Sequence, residues 1–316
     1  MLYNPNSGGT QSRRRSEVES VVTLLRDANV AAELVLTDSS AEAQRQARQA
    51  VQSGCDTVFA CGGDGTIHPV VQALANTQVA LAILPLGTAN ALAHDLCLPM
   101  NLAQAARAAL QAEPRRVALG KIQYRDLKGN PGSRYFVVAA GAGVDAHLFY
   151  KLHTGTKQRM GMAAYYAKAW HLWFSYPMTR FALEFAEAGL DEPRRANVTE
   201  LMAVRIRNFG GVLQALAPGA SLDRDDLRIV FCPTSSRWAY LLYVTRGLLR
   251  RNWKIPGIDL AYSNRVSCQY LGAKTDTNAG ATKIYVETDG ELVGTLPAEI
   301  SAVPNALTLL TVPKPM

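Results

Sequence analysis

The feature that most constrains the fold is a glycine-rich run set between two apolar stretches, TVFACGGDGTIHPVVQAL, at residues 57–74. The apolar residues before the glycines predict a short buried strand, and the spacing of those after them predicts an amphipathic helix. A strand, a glycine turn and a helix form the repeating unit of open parallel sheets. The glycines are therefore expected at the carboxyl end of a strand, where such sheets bind ligands.

Strand and helix patterns alternate through the first third of the chain. Strands are predicted at 1–3, 31–36, 57–60 and 79–84, and helices at 16–28 and 41–52. This order predicts an α/β fold class, with a Rossmann-like nucleotide-binding domain over residues 1–118. The last apolar run predicts one more strand. Residues 305–316 are assigned to the first domain, although local pattern does not identify their partner sheet.

From about residue 120 the pattern changes to strand-like runs, which predict a β-rich sandwich domain over residues 119–304. The runs lie at 135–140, 201–206, 227–232, 265–271, 283–288 and 298–303. Two aromatic segments bordered by Lys and Arg, 160–176 and 238–253, are predicted as helices. The polar segments DEPRRAN (191–197) and AKTDTNAGAT (273–282) are predicted as surface loops.

The first glycine loop has the composition of a phosphate-binding turn. Gly62, Gly63 and Gly65 let backbone N–H groups approach phosphate oxygens, and the N-terminus of the following helix favours an anion. Asp64 is a carboxylate among these anion-binding groups, so it is a candidate for handling a metal ion or a proton. The alternative is a tight strand-to-helix turn in which Asp64 caps the helix.

Three further loops follow predicted strands. PLGTAN, at 85–90, places Gly87, Thr88 and Asn90 after the strand at 79–84. YNPNSGG, at 3–9, follows the first strand, and Thr37 follows the strand at 31–36. Because ligands of open α/β sheets bind outside the carboxyl ends of the strands, we expect these loops to line one crevice.

Charge and cysteine content restrict the partners and the compartment. A formal net charge of +7 favours nucleotides, acidic lipid surfaces or nucleic acid. The five cysteines lack CxxC spacing, which fits a reducing cytoplasm. No apolar run reaches the roughly 20 residues that cross a bilayer, and no signal-peptide pattern is present. We therefore expect a cytoplasmic protein that is at most peripherally membrane-associated.

Four motifs together carry a resemblance to a known family: YNPNSGG (3–9), GGDGT (62–66), PLGTAN (85–90) and VETDGE (286–291). The chain resembles the diacylglycerol kinase and sphingosine kinase superfamily, including its bacterial lipid kinases, over nearly its whole length. GGDGT alone is shared with NAD kinases and, more loosely, with phosphofructokinases. The resemblance implies an ATP-dependent kinase that uses Mg²⁺ and phosphorylates a lipid hydroxyl, on diacylglycerol or a related lipid.

The resemblance also implies a set of site residues. The residues it assigns to ATP are Asn4, Pro5, Ser7, Gly8, Thr37, Gly62, Gly63, Asp64, Gly65, Thr66, His68, Gly87, Thr88 and Asn90. It implies that Asp289 and Glu291 project from the β domain into the interdomain cleft, where one of them is the general base. Glu291 is the first choice, Asp289 its close alternative, and Asp64 a third catalytic candidate. Asp289-Gly290 is equally the signature of a hairpin turn.

The sequence departs from the family pattern at several positions. Ile67, His68 and Pro69 replace an Asn and a Glu after GGDGT, and Ala91 and Ala118 stand where the family has acidic residues. Around residue 220 the family often has a loop that holds a structural Mg²⁺. There Arg224 replaces an Asp ligand, so the metal site is either absent or recruits Ser221, Asp225 and Asp226.

The expected partners are a lipid substrate, an anionic membrane surface and, as a possible homodimer, a second copy of the chain. Nucleic acid is not expected, because no recognition motif accompanies the positive charge. The segments 151–180 and 246–254 mix basic and aromatic residues as membrane-surface elements do. Core helices with solvated basic edges are the alternative, favoured for the second segment. An NAD kinase-like phosphotransferase and a non-catalytic nucleotide or lipid sensor remain alternative functions.

Overall fold

The structure is a computed structural model that describes residues 1–5, 11–144, 146, 178–187, 192–209, 216–249, 253–272 and 283–312. The predicted site residues Ser7 and Gly8, the predicted loop at 273–282, the predicted helix at 160–176 and most of the basic aromatic segment, 151–177, lie outside the described residues. The chain divides into two compact units. Unit 1 combines Met1–Leu119, Asn208–Gln214 and Val303–Met316, and unit 2 combines Gly120–Arg207 and Ala215–Ala302. The return of residues 208–214 to unit 1 has no counterpart in the predicted domain boundaries.

Unit 1 is built on a parallel sheet. Its elements are β1 (Leu2–Tyr3), α1 (Gln11–Asp27), β2 (Val35–Leu36), α2 (Ser40–Gln52), β3 (Thr57–Gly62), α3 (Asp64–Leu74), β4 (Ala80–Pro85), α4 (Ala91–Asp95) and α5 (Leu102–Leu110). The strands lie in the order β2-β1-β3-β4, and each neighbouring pair is parallel. This arrangement confirms the predicted α/β fold class, because strand–helix–strand connections between neighbouring parallel strands place helices on the sheet faces.

The helices of unit 1 pack in two pairs. Helix α1 packs against α5, and α2 packs against α3. Apolar residues of α1 and α5 share a core with alternate residues of the sheet, including Tyr3, Phe59 and Leu84. The Ser39 side chain caps α2 by accepting a hydrogen bond from the Glu42 N–H. The sheet is therefore held by side-chain burial on its helical faces, which leaves the strand ends available for loops.

Unit 2 is built mainly from antiparallel strands. Its elements are β5 (Glu113–Arg125, which begins in unit 1), β6 (Pro131–Phe136), β7 (Ala139–Gly143), β8 (Phe181–Phe185), β9 (Arg194–Val198), β10 (Glu200–Val204), β11 (Leu227–Cys232), α6 (Arg237–Leu248), β12 (Asp259–Ser263), β13 (Arg265–Tyr270), β14 (Tyr285–Thr288) and β15 (Glu291–Thr311). The order β12-β11-β10-β7-β14-β15 forms one series, and β9-β8-β13-β15 forms another. Alternate residues of both series share one apolar core, in which the Phe185 and Phe231 rings lie 5.3 Å apart.

Strand β15 continues from unit 2 into unit 1. Within unit 2 it pairs with β13 and β14, and in unit 1 Thr308 and Leu309 pair in parallel with Ala80 and Leu81 of β4. The sequence predicts separate strands at 298–303 and 307–312, whereas the structure has one continuous strand of 21 residues. The strand is continuous because successive parts of it pair with β14, then with β13 and then with β4.

Two other predictions of local structure are wrong. DEPRRAN is not a loop throughout, because Arg194–Val198 forms β9 against β8. The predicted strand at 135–140 is two strands, β6 and β7, separated at residues 137–138. In the described part of the chain, no helix is long and apolar enough to cross a membrane.

Candidate active site

The turn between β3 and α3 is shaped by its glycines. A Cβ atom on Gly62 would lie 2.3 Å from Thr66 Oγ1, so only glycine lets the first turn of α3 pack against the end of β3. Gly63 precedes α3 in an extended conformation, with φ −94° and ψ −171°. A Cβ on Gly65 would meet nothing within 4 Å, because this residue faces open space at the helix N-terminus. An anion can therefore approach the backbone here.

The loop after β4 is closed by Asn90. This residue has left-handed backbone angles, φ 46° and ψ 48°. Its Oδ1 accepts a hydrogen bond from the Gly87 N–H, and its Nδ2 donates to the Gly87 carbonyl, both at 2.8 Å. Asn90 is buried, whereas Thr88 is exposed. Asn90 thus shapes the loop, and Thr88 is placed where a ligand can reach it.

The two glycine loops are in direct contact. A Cβ on Gly87 would lie 2.5 Å from the Gly63 Cα, and a Cβ on Gly63 would lie 2.9 Å from the Gly87 Cα. Asp64 Oδ1 accepts a hydrogen bond of 3.0 Å from the Ala91 N–H, which ties the start of α3 to the start of α4. The sequence predicts that these loops line one crevice, and the structure brings them together at backbone distance.

Three other predicted nucleotide residues lie at the ends of β1 and β2. Asn4 lies at the end of β1, where its N–H donates to the Cys61 carbonyl, and Pro5 follows it. Thr37 follows β2 and donates its N–H to the Tyr3 carbonyl at 2.8 Å. These residues lie beside the glycine loops because neighbouring parallel strands end together.

Three of the predicted nucleotide side chains are buried. The exposed fractions of Thr66 and His68 are only 2%, inside α3. Thr37 is also buried, at 1%. These side chains form the walls of the strand-end region rather than its open surface.

A cavity of about 590 Å³ adjoins the second loop. Its lining includes Arg14, Gly87, Thr88, His94 and Asn101. The Arg14 Nη1 donates to the Leu86 carbonyl at 2.9 Å, so a guanidinium from α1 stands at the glycine loop. Arg14 and His94 were not predicted from the sequence as site residues. The run RRR shortly after YNPNSGG is the signal that could have identified Arg14, because arginine is well suited to phosphate.

Asp289 is held tightly in unit 2. Its Oδ1 accepts hydrogen bonds from the N–H groups of Val138 (2.9 Å) and Ala139 (3.0 Å), and its Oδ2 accepts one from Val137 (3.2 Å). Asp289 itself has φ 50°, in the turn between β14 and β15. The carboxylate takes up the backbone donors at the break between β6 and β7, which explains why the predicted strand at 135–140 is interrupted. These contacts suit a structural anchor better than a proton acceptor.

Glu291 and Glu287 lie on either side of this turn. Glu291 Oε2 accepts a hydrogen bond of 2.6 Å from Arg134 Nη2, and its side chain is about one third exposed (34%). Glu287 is buried, and its Oε2 accepts a bond of 2.9 Å from the Gly290 N–H. Glu287 was not predicted as a site residue, although it lies within VETDGE. A register shift between Val286 and Glu287, which local pattern does not reveal, accompanies its burial.

Two arginines bind the loop in which Ser221, Asp225 and Asp226 are the candidate metal ligands. Arg205 is fully buried and donates to the backbone carbonyls of Asp226 and, at 2.6 Å, Arg224. Arg224 in turn donates to both carboxylate oxygens of Asp226, each at 2.6 Å. Burial lowers the pKa of the Arg205 guanidinium to about 10, which leaves it charged at neutral pH.

These contacts favour the alternative in which the loop has no metal site, and that alternative stays a prediction. The two arginines bind the backbone carbonyls of Arg224 and Asp226 and the Asp226 carboxylate, which are oxygens that a hard metal ion would also use. Among the residues that the structure describes, no group of three or more His, Cys, Asp or Glu side chains could hold a metal ion.

Comparisons of sequence point to one family. Residues 1–122 match the family described as the diacylglycerol kinase catalytic domain. The chain is 25% identical over 302 residues to a diacylglycerol kinase of Bacillus subtilis (strain 168), covering 95% of this chain and 91% of that protein. It is 32% identical over 221 residues to a protein of Chromohalobacter salexigens that is named "Probable lipid kinase YegS-like", covering 67% of this chain and 65% of that protein.

Comparisons of structure agree on the fold. A crystal structure described as a diacylglycerol kinase from Bacillus anthracis superposes with a TM-score of 0.69 at 18% identity, covering 99% of this chain and 96% of the other. Yeast NADH kinase in complex with NADH superposes with a TM-score of 0.52 at 12% identity, covering 99% of this chain and 83% of the other. At these identities the likeness concerns the fold alone.

Proposed function

Because the chain belongs to the diacylglycerol kinase superfamily, in its bacterial type, we propose that it is an ATP-dependent lipid kinase. The reaction transfers the γ-phosphoryl group of ATP to a lipid hydroxyl, on diacylglycerol or a related lipid. The observation that carries this proposal is the contact between Gly63 and Gly87, which joins two glycine loops at neighbouring strand ends. Such a surface presents backbone N–H groups to a polyphosphate.

The nucleotide binds at the strand ends of unit 1. Asn4 and the two glycine loops surround its phosphates, with the N-terminus of α3 directed at them, and the buried Thr37 lies at the end of the neighbouring strand β2. Arg14, which already stands at the second loop through the Leu86 carbonyl, supplies positive charge. Thr88 is exposed on the same loop and offers a hydroxyl. These groups hold ATP in one orientation, which is most of what phosphoryl transfer asks of a protein.

The chemical step needs charge neutralisation and a proton acceptor. The acceptor oxygen attacks the γ-phosphorus, the bond from that phosphorus to the bridging oxygen breaks, and ADP leaves. Mg²⁺, which we take to be the cofactor, supplies charge neutralisation on the phosphates when bound. Asp64 is the residue that would hold Mg²⁺, since it is a carboxylate at the phosphate loop. Its Oδ1 accepts the hydrogen bond from the Ala91 N–H, so Oδ2 is the oxygen that would bind the metal ion.

Glu291 is the proposed general base, which receives the proton of the lipid hydroxyl. Asp289 is a weaker candidate, because both of its carboxylate oxygens accept backbone N–H groups. Glu291 interacts with Arg134 through Oε2 and is partly exposed, which leaves it accessible. Asp289 then acts as a positioning residue that holds the turn from which Glu291 extends.

A lipid acceptor requires contact with a membrane. We take an anionic membrane surface as the site of action, since the chain carries a net charge of +7 and anionic headgroups attract basic proteins. Peripheral association from the cytoplasm is the matching location. A homodimer is a further proposed state, to be tested by sedimentation.

The experiment that tests this function measures ATP consumption against a panel of acceptors. Diacylglycerol, monoacylglycerol, phosphatidylglycerol and sphingoid bases are each presented in mixed micelles, and NAD is presented in solution. Lipid-dependent formation of ADP together with a phosphorylated lipid supports the proposal. Phosphorylation of NAD alone would assign the chain to the NAD kinase-like alternative. Nucleotide binding without turnover on any acceptor would indicate a sensor.

A further inference from the structure

The outer side of α6 and the segment after it expose large apolar side chains. The exposed fractions are 76% for Trp238, 49% for Leu242 and 58% for Leu249, and Val244 and Trp253 are also exposed. We call these five residues the α6 surface. In the described part of the chain, eleven large hydrophobic residues are exposed, and five of them fall within these 16 positions. Scattered exposed residues need no explanation, but a cluster of this kind marks an interaction surface.

The α6 surface is presented by a firmly held helix. On the inner side of α6, the Tyr240 hydroxyl lies 2.7 Å from Thr199 Oγ1, and the Tyr243 hydroxyl donates to the Leu216 carbonyl at 3.0 Å. Arg246 is buried, and its guanidinium donates to the carbonyls of Leu216 and Trp253. The helix therefore has a packed inner side, and the apolar outer side is a stable feature of the unit.

The charged residues in the sequence that carries the α6 surface are all basic. Residues 233–258 contain Arg237, Arg246, Arg250, Arg251 and Lys254, and this stretch of sequence has no Asp or Glu. Arg246 is buried inside the unit, and the other four basic residues precede or follow the apolar residues along the chain. Tryptophan with apolar neighbours and flanking Arg and Lys is the composition that proteins use at a membrane–water boundary, where long basic side chains reach the headgroups.

We propose that the α6 surface docks this protein onto an anionic lipid bilayer, with Trp238 and Leu242 entering the headgroup region. This inference rests on the proposed function, because a kinase for a lipid must collect its acceptor from a membrane. A second copy of the chain fits the surface less well. A twofold contact would bring this basic stretch against itself, and the stretch has no acidic residue of its own to compensate.

Vesicle binding tests the docking surface directly. Leu242→Glu and Trp238→Glu each replace an exposed apolar contact by a negative charge, and Leu127→Glu is the matched control. Leu127 has a comparable exposed fraction, 48%, in the turn between β5 and β6 of the same unit. With vesicles of phosphatidylglycerol and phosphatidylcholine, we expect each α6 variant to bind about tenfold or more weakly, from the lost apolar burial alone. The control should bind within about twofold of wild type.

A second measurement uses the unmodified protein. If Trp238 enters the bilayer, lipids that carry a quencher near the headgroup should reduce tryptophan emission, and the reduction should be smaller in Trp238→Phe. Unchanged vesicle binding by both Glu variants, or equal quenching in wild type and Trp238→Phe, overturns the proposal. A variant that alters only the oligomeric state in sedimentation, with vesicle binding intact, assigns the surface to a second copy and overturns it as well.

The proposed function is separated from the docking surface by an assay without a bilayer. With a short-chain acceptor in detergent micelles, Leu242→Glu should turn over at the wild-type rate, because α6 carries none of the proposed catalytic residues. If the wild-type protein phosphorylates no lipid, and the α6 variants nevertheless bind vesicles more weakly than the wild type does, the proposed function is wrong and the docking surface is supported. If the wild-type protein phosphorylates a lipid and the α6 variants bind vesicles as well as the wild type does, the proposed function is supported and the docking surface is wrong.

Discussion

Gly63 and Gly87 face each other so closely that a methyl group on Gly87 would stand 2.5 Å from the Gly63 Cα. The two residues belong to different loops, after β3 and after β4, and neither could carry a side chain here without moving the backbone of the other. The contact holds two sets of backbone N–H groups beside one another. It is therefore both a packing requirement and the basis of the proposed phosphate site.

Gly87→Ala and Gly65→Ala should separate these two roles. Gly87→Ala forces the loops apart, so we expect a loss of stability of about 1–3 kcal/mol together with weaker ATP binding. Gly65→Ala meets no neighbour within 4 Å and should melt at or slightly above the wild-type temperature. It should nevertheless weaken ATP binding, because its methyl group enters the space that a phosphate needs. Thermal melting and calorimetric titration with ATP measure both effects. Wild-type ATP affinity in Gly65→Ala would show that phosphate does not approach this residue.

Asp64→Asn should keep the fold and lose turnover. The asparagine Oδ1 can still accept the Ala91 N–H, so the link between α3 and α4 is preserved. The lost negative charge should reduce kcat by about 10²–10³ or more if Asp64 handles the metal ion or a proton. Steady-state kinetics and a melting curve are both required. Near-normal kcat in a correctly folded variant would remove Asp64 from the catalytic set.

Asp289→Ala should act on stability, whereas Glu291→Gln should act on rate. Removing the Asp289 carboxylate leaves three backbone N–H groups without their acceptor and places alanine at φ 50°, which together should cost about 3 kcal/mol or more. Glu291→Gln keeps the side-chain shape, so stability should change little. If Glu291 is the base, lipid phosphorylation should fall by about 10²–10⁴ with ATP affinity nearly unchanged.

Urea denaturation and lipid phosphorylation assays measure the two outcomes. Intrinsic ATP hydrolysis is the control, since that background reaction does not use the proton acceptor for the lipid. If both variants phosphorylate lipid at the wild-type rate, neither Asp289 nor Glu291 is the general base, and Asp64 becomes the next candidate.

The loop at 220–227 should be stable without a metal. Chelation of divalent cations should leave the melting temperature of the wild type unchanged, because Arg205 and Arg224 supply the positive charge at this loop. Arg205→Met should lower the stability by about 3–5 kcal/mol, since it removes a buried cation from carbonyl and carboxylate partners. A lower melting temperature on chelation, reversed by Mg²⁺, would instead support the alternative in which Ser221, Asp225 and Asp226 hold a metal ion.

Local sequence was enough to predict the order of elements in unit 1 as far as β4, whereas α4 and α5 were not predicted. The glycine positions, the strand lengths and the helical spacing are properties of short windows, and most predicted elements lie within a few residues of the observed ones. DEPRRAN shows where this approach fails, because its proline and charges indicate a loop. Arg194 and Arg195 instead form ion pairs with Glu187 and Glu184 beside β8, which stabilise β9 as an outer strand.

The dipeptide Asp-Gly occurs in GGDGT and in VETDGE, and the sequence by itself determined that each one follows a predicted strand. Only the tertiary structure decided what each aspartate does. Asp64 accepts a hydrogen bond from a residue 27 positions away, and Asp289 accepts one from a residue 150 positions away. A short window of sequence cannot show such partners, because they meet only when distant strands pair. The same physical reason explains why the partner of the last strand and the arginine contacts of the loop at 220–227 became visible only in the folded chain.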